Sequence, residues 1–334
     1  MKRLRHLSLL LCGALVLLSS CVEDDLAPCT NYLNITYDYN MEFVDQFPVQ
    51  VSFLSIFMFD AETGLLVREV KEAQNPFPAN YRIEIPEAWF GKRYNLMAWA
   101  GLKADSYDFP TLTPGVSTLA DFQLKVKEYE SQLVDRRSAL EPLWHGSLTD
   151  VSFAWSGEEI HTLSLRKDTR KFRLVVQCMD DNEIVTSSDL DVRILSSGGW
   201  YDNANQVLDP KERAITYLPY FTQDDPEVGM IAELNTMRLL NDGRANRLVV
   251  TDKKNGKSLL DISLMKYLNA LRLLEFENMP FQEYLDREDE YHILIFVQRV
   301  KDPVRPEEGN WLAVQVMIND WVIRFQDINI DPDP

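Results

Sequence analysis

Apolar and polar residues alternate along much of this chain with a period of two. Leu33, Ile35, Tyr37 and Tyr39 share one face, and Asn34, Thr36, Asp38 and Asn40 the other, which is the pattern of a half-buried strand. Residues 49–59 are β-branched or aromatic on both faces and stop at the turn Asp60-Ala-Glu-Thr-Gly64. That predicts a strand covered on two sides. Residues 65–70 suit its hairpin partner, 81–85 alternate again, and 94–100 form another buried strand halted at Gly101. Between 119 and 137 the period changes. Phe122, Val126, Tyr129 and Leu133 fall on one helical stripe, so the segment reads as a helix or loop excursion outside the sheets. Strand-like composition returns over 141–155 and 161–165.

The charged stretch Arg166-Lys-Asp-Thr-Arg170 separates two apolar runs and marks a domain boundary. Beyond it the same grammar repeats. Residues 172–178, 190–195, 291–297, 311–318 and 321–330 read as strands, with turns at Ser196-Ser-Gly-Gly199 and Asp202-Asn-Ala-Asn205. Residues 248–251 and 259–264 flank Asn255-Gly256, a pair suited to the positive φ of a type I′ hairpin turn. Their seven-residue separation points to a somewhat longer connection. Helix is confined to short pieces near 266–268 and 281–286. Many short strands with frequent turns predict an all-β chain of two tandem sandwiches, 31–167 and 168–334.

The amino end departs from this pattern. Lys2, Arg3 and Arg5 precede an apolar run of about twelve residues, 7–18, and small residues lead to Cys21. This is the layout of a bacterial signal peptide over 1–20, and it falls short of the roughly 20 apolar residues needed to span a bilayer. Leu18-Ser19-Ser20-Cys21 resembles the lipobox of lipoproteins, which would leave Cys21 as the first residue, carrying diacylglycerol and an N-acyl chain. The other reading is an ordinary secretory signal with an incidental cysteine. Residues 21–30 then form a tether in which Glu23, Asp24 and Asp25 resemble the acidic surface-export tag of Bacteroidota lipoproteins, or serve simply as a solvated spacer.

Charge removes one class of partner. The whole chain carries −18, and removing residues 1–20 leaves 31 basic against 52 acidic residues, a balance of −21. No basic run offers itself to phosphate, so nucleic acid is not expected. Of four cysteines, Cys12 leaves with the signal and Cys21 takes lipid, so Cys29 and Cys178 remain. They could pair in an oxidising compartment, but the strand framework does not depend on it.

Candidate chemistry is sparse. There is no Gly-x-Ser-x-Gly elbow, no His-Glu-x-x-His and no Gly-rich phosphate loop. His145, His161 and His292 lie singly in strand context and read as hydrogen-bonded structural residues. Asp286-Arg-Glu-Asp289 places three acids in four residues. It reads as a solvated turn in preference to an oxygen-ligand site for calcium. No two of the many acids are singled out as a glycosidase pair. Trp99 and Trp321 sit in apolar strand runs and belong to cores, whereas Trp200 and Tyr201 follow Gly198-Gly199 and could form a sugar-stacking platform. Arg68 and Lys71 are basic sites in a turn-rich stretch, open to trimming of an N-terminal strand after export. No metal, cofactor or catalytic residue is expected.

Several segments together resemble one family. They are Tyr37-Asp-Tyr-Asn-Met41, the run ending Phe57-Met-Phe-Asp60, Ala98-Trp-Ala-Gly101, Thr236-Met-Arg-Leu239 before Arg247-Leu-Val-Val250, Gln282-Glu-Tyr-Leu-Asp-Arg287 and Ile318-Asn-Asp-Trp321. In this order, behind an acidic lipobox, they resemble the FimB-type fimbrial anchor subunits of Bacteroidales, with Asp320 standing where glycine is more usual. The resemblance implies two transthyretin-like Greek-key β-sandwiches. It also implies a non-catalytic outer-membrane lipoprotein, exposed at the cell surface, that holds a pilus and limits fibre growth. A fimbrillin subunit would be its partner, docked by strand complementation. A surface glycan-binding lipoprotein using Trp200 and Tyr201 is the alternative, and a hydrolase with an unrecognised acid pair the third class.

Overall fold

A computed structural model describes residues 30–134, 138–155, 157–180, 183–300, 309–319 and 321–324, the last four as backbone only. Cys21, Glu23, Asp24, Asp25, Cys29 and Asp320 lie outside the described residues. The described chain is all-β, with short helices at Phe47–Gln50, Leu264–Glu275 and Phe281–Arg287.

In the first half a three-stranded sheet holds Thr30–Thr36 between Glu158–Ser164 and Arg82–Ile85. A five-stranded sheet runs Arg166–Lys167, Trp144–Ser152, Arg93–Ala100, Phe53–Asp60, Leu66–Ala73. The two-sided apolar pattern of Phe53–Asp60 has a direct cause. Leu54, Ile56 and Met58 share a core with Leu33, Ile35, Ile85 and Leu163 of the three-stranded sheet. Phe57 and Phe59 point the other way, into a second core with Leu102, Tyr107, Phe122 and Leu124.

The segment predicted to be a helical excursion is mostly strand. After a single turn at Leu119–Asp121, closed by a Thr118/Asp121 capping box, come Gln123–Val126, Glu128–Glu130 and Leu133–Val134. Leu124 decides the matter. With Phe122 and Val126 it makes a buried i, i+2 series, while Tyr129, a member of the expected stripe, is exposed. A helical stripe would have left Leu124 off the apolar face.

The second half packs two six-stranded sheets. One runs Phe221–Asp225, Gly229–Met237, Thr169–Cys178, Glu290–Val300, Asn310–Ile318, Trp321–Arg324. The other runs Ser258–Ser263, Asn246–Asp252, Leu190–Ser196, Ile215–Tyr217, and then Leu133–Val134 and Glu128–Glu130 from the first half. Phe172, Leu174 and Val176 share a core with Leu190, Val192 and Ile194, and the same cluster takes in Trp99 and Phe122. A small sheet joins Trp200–Asp202 to Gln123–Val126 and Tyr107–Asp108. The helix Leu264–Glu275 is longer than expected, and its buried Leu264, Tyr267, Leu268 and Leu271 follow the i, i+3, i+4, i+7 spacing of a helix face. The hairpin at Asn255-Gly256 differs from a type I′ turn because only Gly256 of the pair has positive φ, at 71°. Asn255 instead donates its side-chain amide to Asp252 across a longer connection.

Candidate functional site

The described chain begins at the foot of the strand Thr30–Thr36, and its first residues are firmly held. The Thr30 amide donates to the Gly157 carbonyl at 3.3 Å. Asn31, fully buried, donates its amide to Ala154 O at 2.9 Å and accepts from Ala154 N at 3.3 Å. The strand has a parallel neighbour on one side and an antiparallel one on the other.

Exposed edges are where an extended partner segment could add. Leu66–Ala73 and Phe221–Asp225 each border their sheets with one paired neighbour. The first alternates Val67, Arg68, Glu69, Lys71 and Glu72 toward solvent or partial cover. Arg68 and Lys71 lie within this paired strand, not in an open turn. Arg68 stacks over Trp89 at 5.5 Å, and Lys71 pairs with Glu69 at 3.2 Å.

The charged stretch Arg166-Lys-Asp-Thr-Arg170, expected from the sequence to mark a domain boundary, is buried at its centre. Arg170 is completely enclosed. Its guanidinium donates to the carbonyls of Leu285 (2.9 Å), Lys167 (2.9 Å), Thr169 (2.9 Å) and Asp286 (3.2 Å). Asp286, read from sequence as part of a solvated turn, is buried as well. It takes a two-pronged grip from Arg238, with Nε at 2.6 Å and Nη2 at 2.8 Å, and a further contact from Arg166 at 3.2 Å. Burial pushes its carboxyl up, but the hydrogen bonds and charge of Arg238, with Arg170 and Arg166, outweigh that and hold it below the usual carboxylate range. The neighbouring Arg287 lies 4.0 Å over Tyr39 and 4.7 Å over Phe43, and donates to Asn40 O at 3.2 Å. Tyr39 also receives Arg166 at 4.9 Å. Two motifs far apart in sequence, 37–41 and 282–287, thus meet.

Asp168, enclosed beside them, accepts from Asn205 Nδ2 at 2.8 Å. Burial pushes its carboxyl up to about 6, against the lowering influence of Arg238, Asn205 and Arg170. His145 donates from Nε2 to Asn203 O at 3.1 Å, and burial brings its imidazole down to about 4, so it is neutral near pH 7. His161 likewise reaches Ser152 O at 3.0 Å, in the structural role expected of it. Among the described residues, no group of three or more His, Cys, Asp or Glu is placed to hold a metal ion.

The structure separates the two proposed stacking aromatics. Trp200 is 36% exposed, with its indole N–H on Gln123 at 3.1 Å. Tyr201 is 0% exposed and donates its hydroxyl to Gly198 O at 3.1 Å. Its ring has no open face, so the pair does not form a platform. Their alternation along Trp200–Asp202 carried the signal, since neighbours in a strand point to opposite faces. Trp99 is core as expected, stacked on Phe122 at 5.6 Å. Trp321 lies in a strand, and its side chain is outside the description. Cys178, at the end of Thr169–Cys178, has no disulfide partner among the described residues, which do not include Cys29.

The fold is shared with solved structures of Bacteroides and Porphyromonas proteins. A candidate adhesin from Bacteroides ovatus matches with TM-score 0.75 and 24% identity, covering 93% of this chain and 100% of that one. A candidate polysaccharide-binding protein from Bacteroides thetaiotaomicron is 36% identical with TM-score 0.74, covering 90% of this chain and 99% of that one. The fimbrial anchor protein Mfa2 from Porphyromonas gingivalis shares the fold at 18% identity and TM-score 0.64, covering 88% and 98% of the two chains. No curated protein matches. Residues 25–327 match the family of fimbrillin-A associated anchor proteins Mfa1 and Mfa2, and the chain belongs to that family.

Proposed function

We propose that this protein is a non-catalytic outer-membrane lipoprotein that anchors a fimbria to the cell surface and limits its growth. Cys21 carries diacylglycerol and an N-acyl chain, and Glu23, Asp24 and Asp25 direct it to the outer face. Its two halves, 31–167 and 168–334, act as transthyretin-like Greek-key sandwiches that dock a fimbrillin subunit by strand complementation at an open sheet edge. The observation that carries this reading is the family match over 25–327, beginning four residues after a lipobox-like cysteine. Two or more acyl chains give the stable attachment that a single chain does not.

Replacing Cys21 by Ala tests the tether. Protein and attached fibres should pass from the outer-membrane fraction to the medium, as read by fractionation and immunoblotting. Retention of the variant in the membrane with normal fibres would sink the proposal. The glycan-binding alternative draws on the described character of the Bacteroides thetaiotaomicron relative. Here it would rest on Trp200 without Tyr201, and glycan-array binding lost in Trp200→Ala would favour it.

A further inference from the structure

At the end of the first half where the described chain begins, an aromatic side chain is held toward solvent. Trp155 is 60% exposed, the most open of the large aromatics there. Its ring nonetheless has a fixed seat, meeting Phe90 edge-on at 5.6 Å. It also covers Gly91 so closely that a Cβ at that position would stand 2.4 Å from the indole nitrogen. The Gly91 amide is bound to Phe153 O at 2.9 Å, which fixes the seat against the strand beneath. Trp89, partly exposed, lies nearby in sequence under the guanidinium of Arg68 at 5.5 Å. Ile160 is 42% exposed and stands in register with Tyr32 on the strand leading from Thr30. An ordered indole presented to water costs hydration free energy.

Position supplies the occupant. The Thr30 amide bonds to Gly157 O, two residues beyond Trp155. Eight residues, 22–29, separate Thr30 from Cys21. Even fully extended, that length spans at most about 30 Å, so acyl chains on Cys21 would hold this end of the molecule close to the lipid surface.

We propose that Trp155 forms a footing that seats in the headgroup region of the bilayer carrying the Cys21 lipid. This rests on the lipoprotein reading above. Indole suits that boundary because its body is apolar and its N–H is polar. The charges around the footing are mixed, with Lys92 and Arg93 beside Glu87 and Glu158, all exposed. The contact is therefore carried by apolar burial and not by attraction to anionic lipid, and it is insensitive to salt. Lipid and footing together make a two-point attachment that sets the tilt of the first half.

The test uses the full lipidated protein in phosphatidylcholine vesicles with brominated acyl chains, reading quenching of tryptophan emission. Trp155→Ala should lower the quenched fraction by about twofold, as expected if this indole is the one at the boundary. Trp200→Ala, on a different sheet, should not lower it, and raising salt from about 0.05 to about 0.5 M should leave it unchanged. Far-UV circular dichroism checks that the variants are folded. Quenching unaltered by Trp155→Ala, or lowered equally by Trp200→Ala, overturns the footing. Intact mass on the same sample separates the two readings. Lipid on Cys21 with unchanged quenching sinks the footing alone, while an unmodified Cys21 sinks the anchor and the footing with it.

Discussion

The two halves of this protein use one pairing rule and different means of closing it. In each, the opening strand lies parallel to a late strand and antiparallel to a middle one. Thr30–Thr36 does so with Glu158–Ser164 and Arg82–Ile85, and Thr169–Cys178 with Glu290–Val300 and Gly229–Met237. The first half sets three strands against five and keeps a core of its own on one face. The second half sets six against six, but two of those strands, Leu133–Val134 and Glu128–Glu130, are lent by the first. The excursion between Gly101 and Leu143 covers the far face of the five-stranded sheet and merges with the second-half core. Similar topology therefore does not make the halves equally self-sufficient.

The largest expected break of this comparison comes at Phe122, whose ring stands 5.6 Å from both Phe57 and Trp99. Phe122→Ala should cost about 4 kcal/mol and raise hydrogen exchange in strands of both halves. Leu33→Ala should speed exchange in the first half only. If Phe122→Ala leaves the exchange of Thr169–Cys178 as it was, the merged core is not shared energetically. Next in size is Arg238→Met, which leaves Asp286 buried without its two-pronged partner. We expect a loss of about 3 kcal/mol in urea unfolding. Adding Asp286→Leu should recover part of it, and a double variant as unstable as the sum of both single changes would contradict the pairing.

The smallest effect is a matter of pH. With its carboxyl at about 6 in the fold and near 3.9 when unfolded, Asp168 favours the protonated form on folding. Its contribution is complete below about pH 4 and is lost as pH rises through 6. Removing it as Asp168→Asn should therefore raise stability relative to the parent by about 2 kcal/mol between pH 4 and pH 7. His145, neutral when buried, acts with the opposite sign over pH 4 to 6.5. Because it is present in both proteins, it cancels in the difference. A difference that stays flat with pH would show that Asp168 is ionised throughout.

Strands long enough to show their pattern, alternating or apolar on both faces, were legible in the sequence. Phe53–Asp60, Arg93–Ala100 and Leu190–Ser196 fall within a few residues of their expected places. The excursion was not, because its strands are only two to four residues long. Over so few positions Phe122 and Val126 fit a helix as well as a strand, and pairing with Trp200–Asp202, more than seventy residues away, decided the outcome. The burial of Asp286 was hidden for a related reason. An acidic run looks solvated until the fold brings Arg238, Arg170 and Arg166 around one of its members. Tyr201 shows how a strand of three residues after two glycines can pass for a loop.

The clamp at Asn31 has a mechanical consequence. If a fibre tugs on this molecule while its amino end is fixed, force enters at Thr30 and runs along a strand bonded on both flanks. Loaded lengthwise, such a strand yields only when many of its bonds shear together, not one after another as in a peeled edge. Resistance of that kind is a matter of unfolding rate, not of equilibrium stability, and it suits a part that must endure brief hard strain.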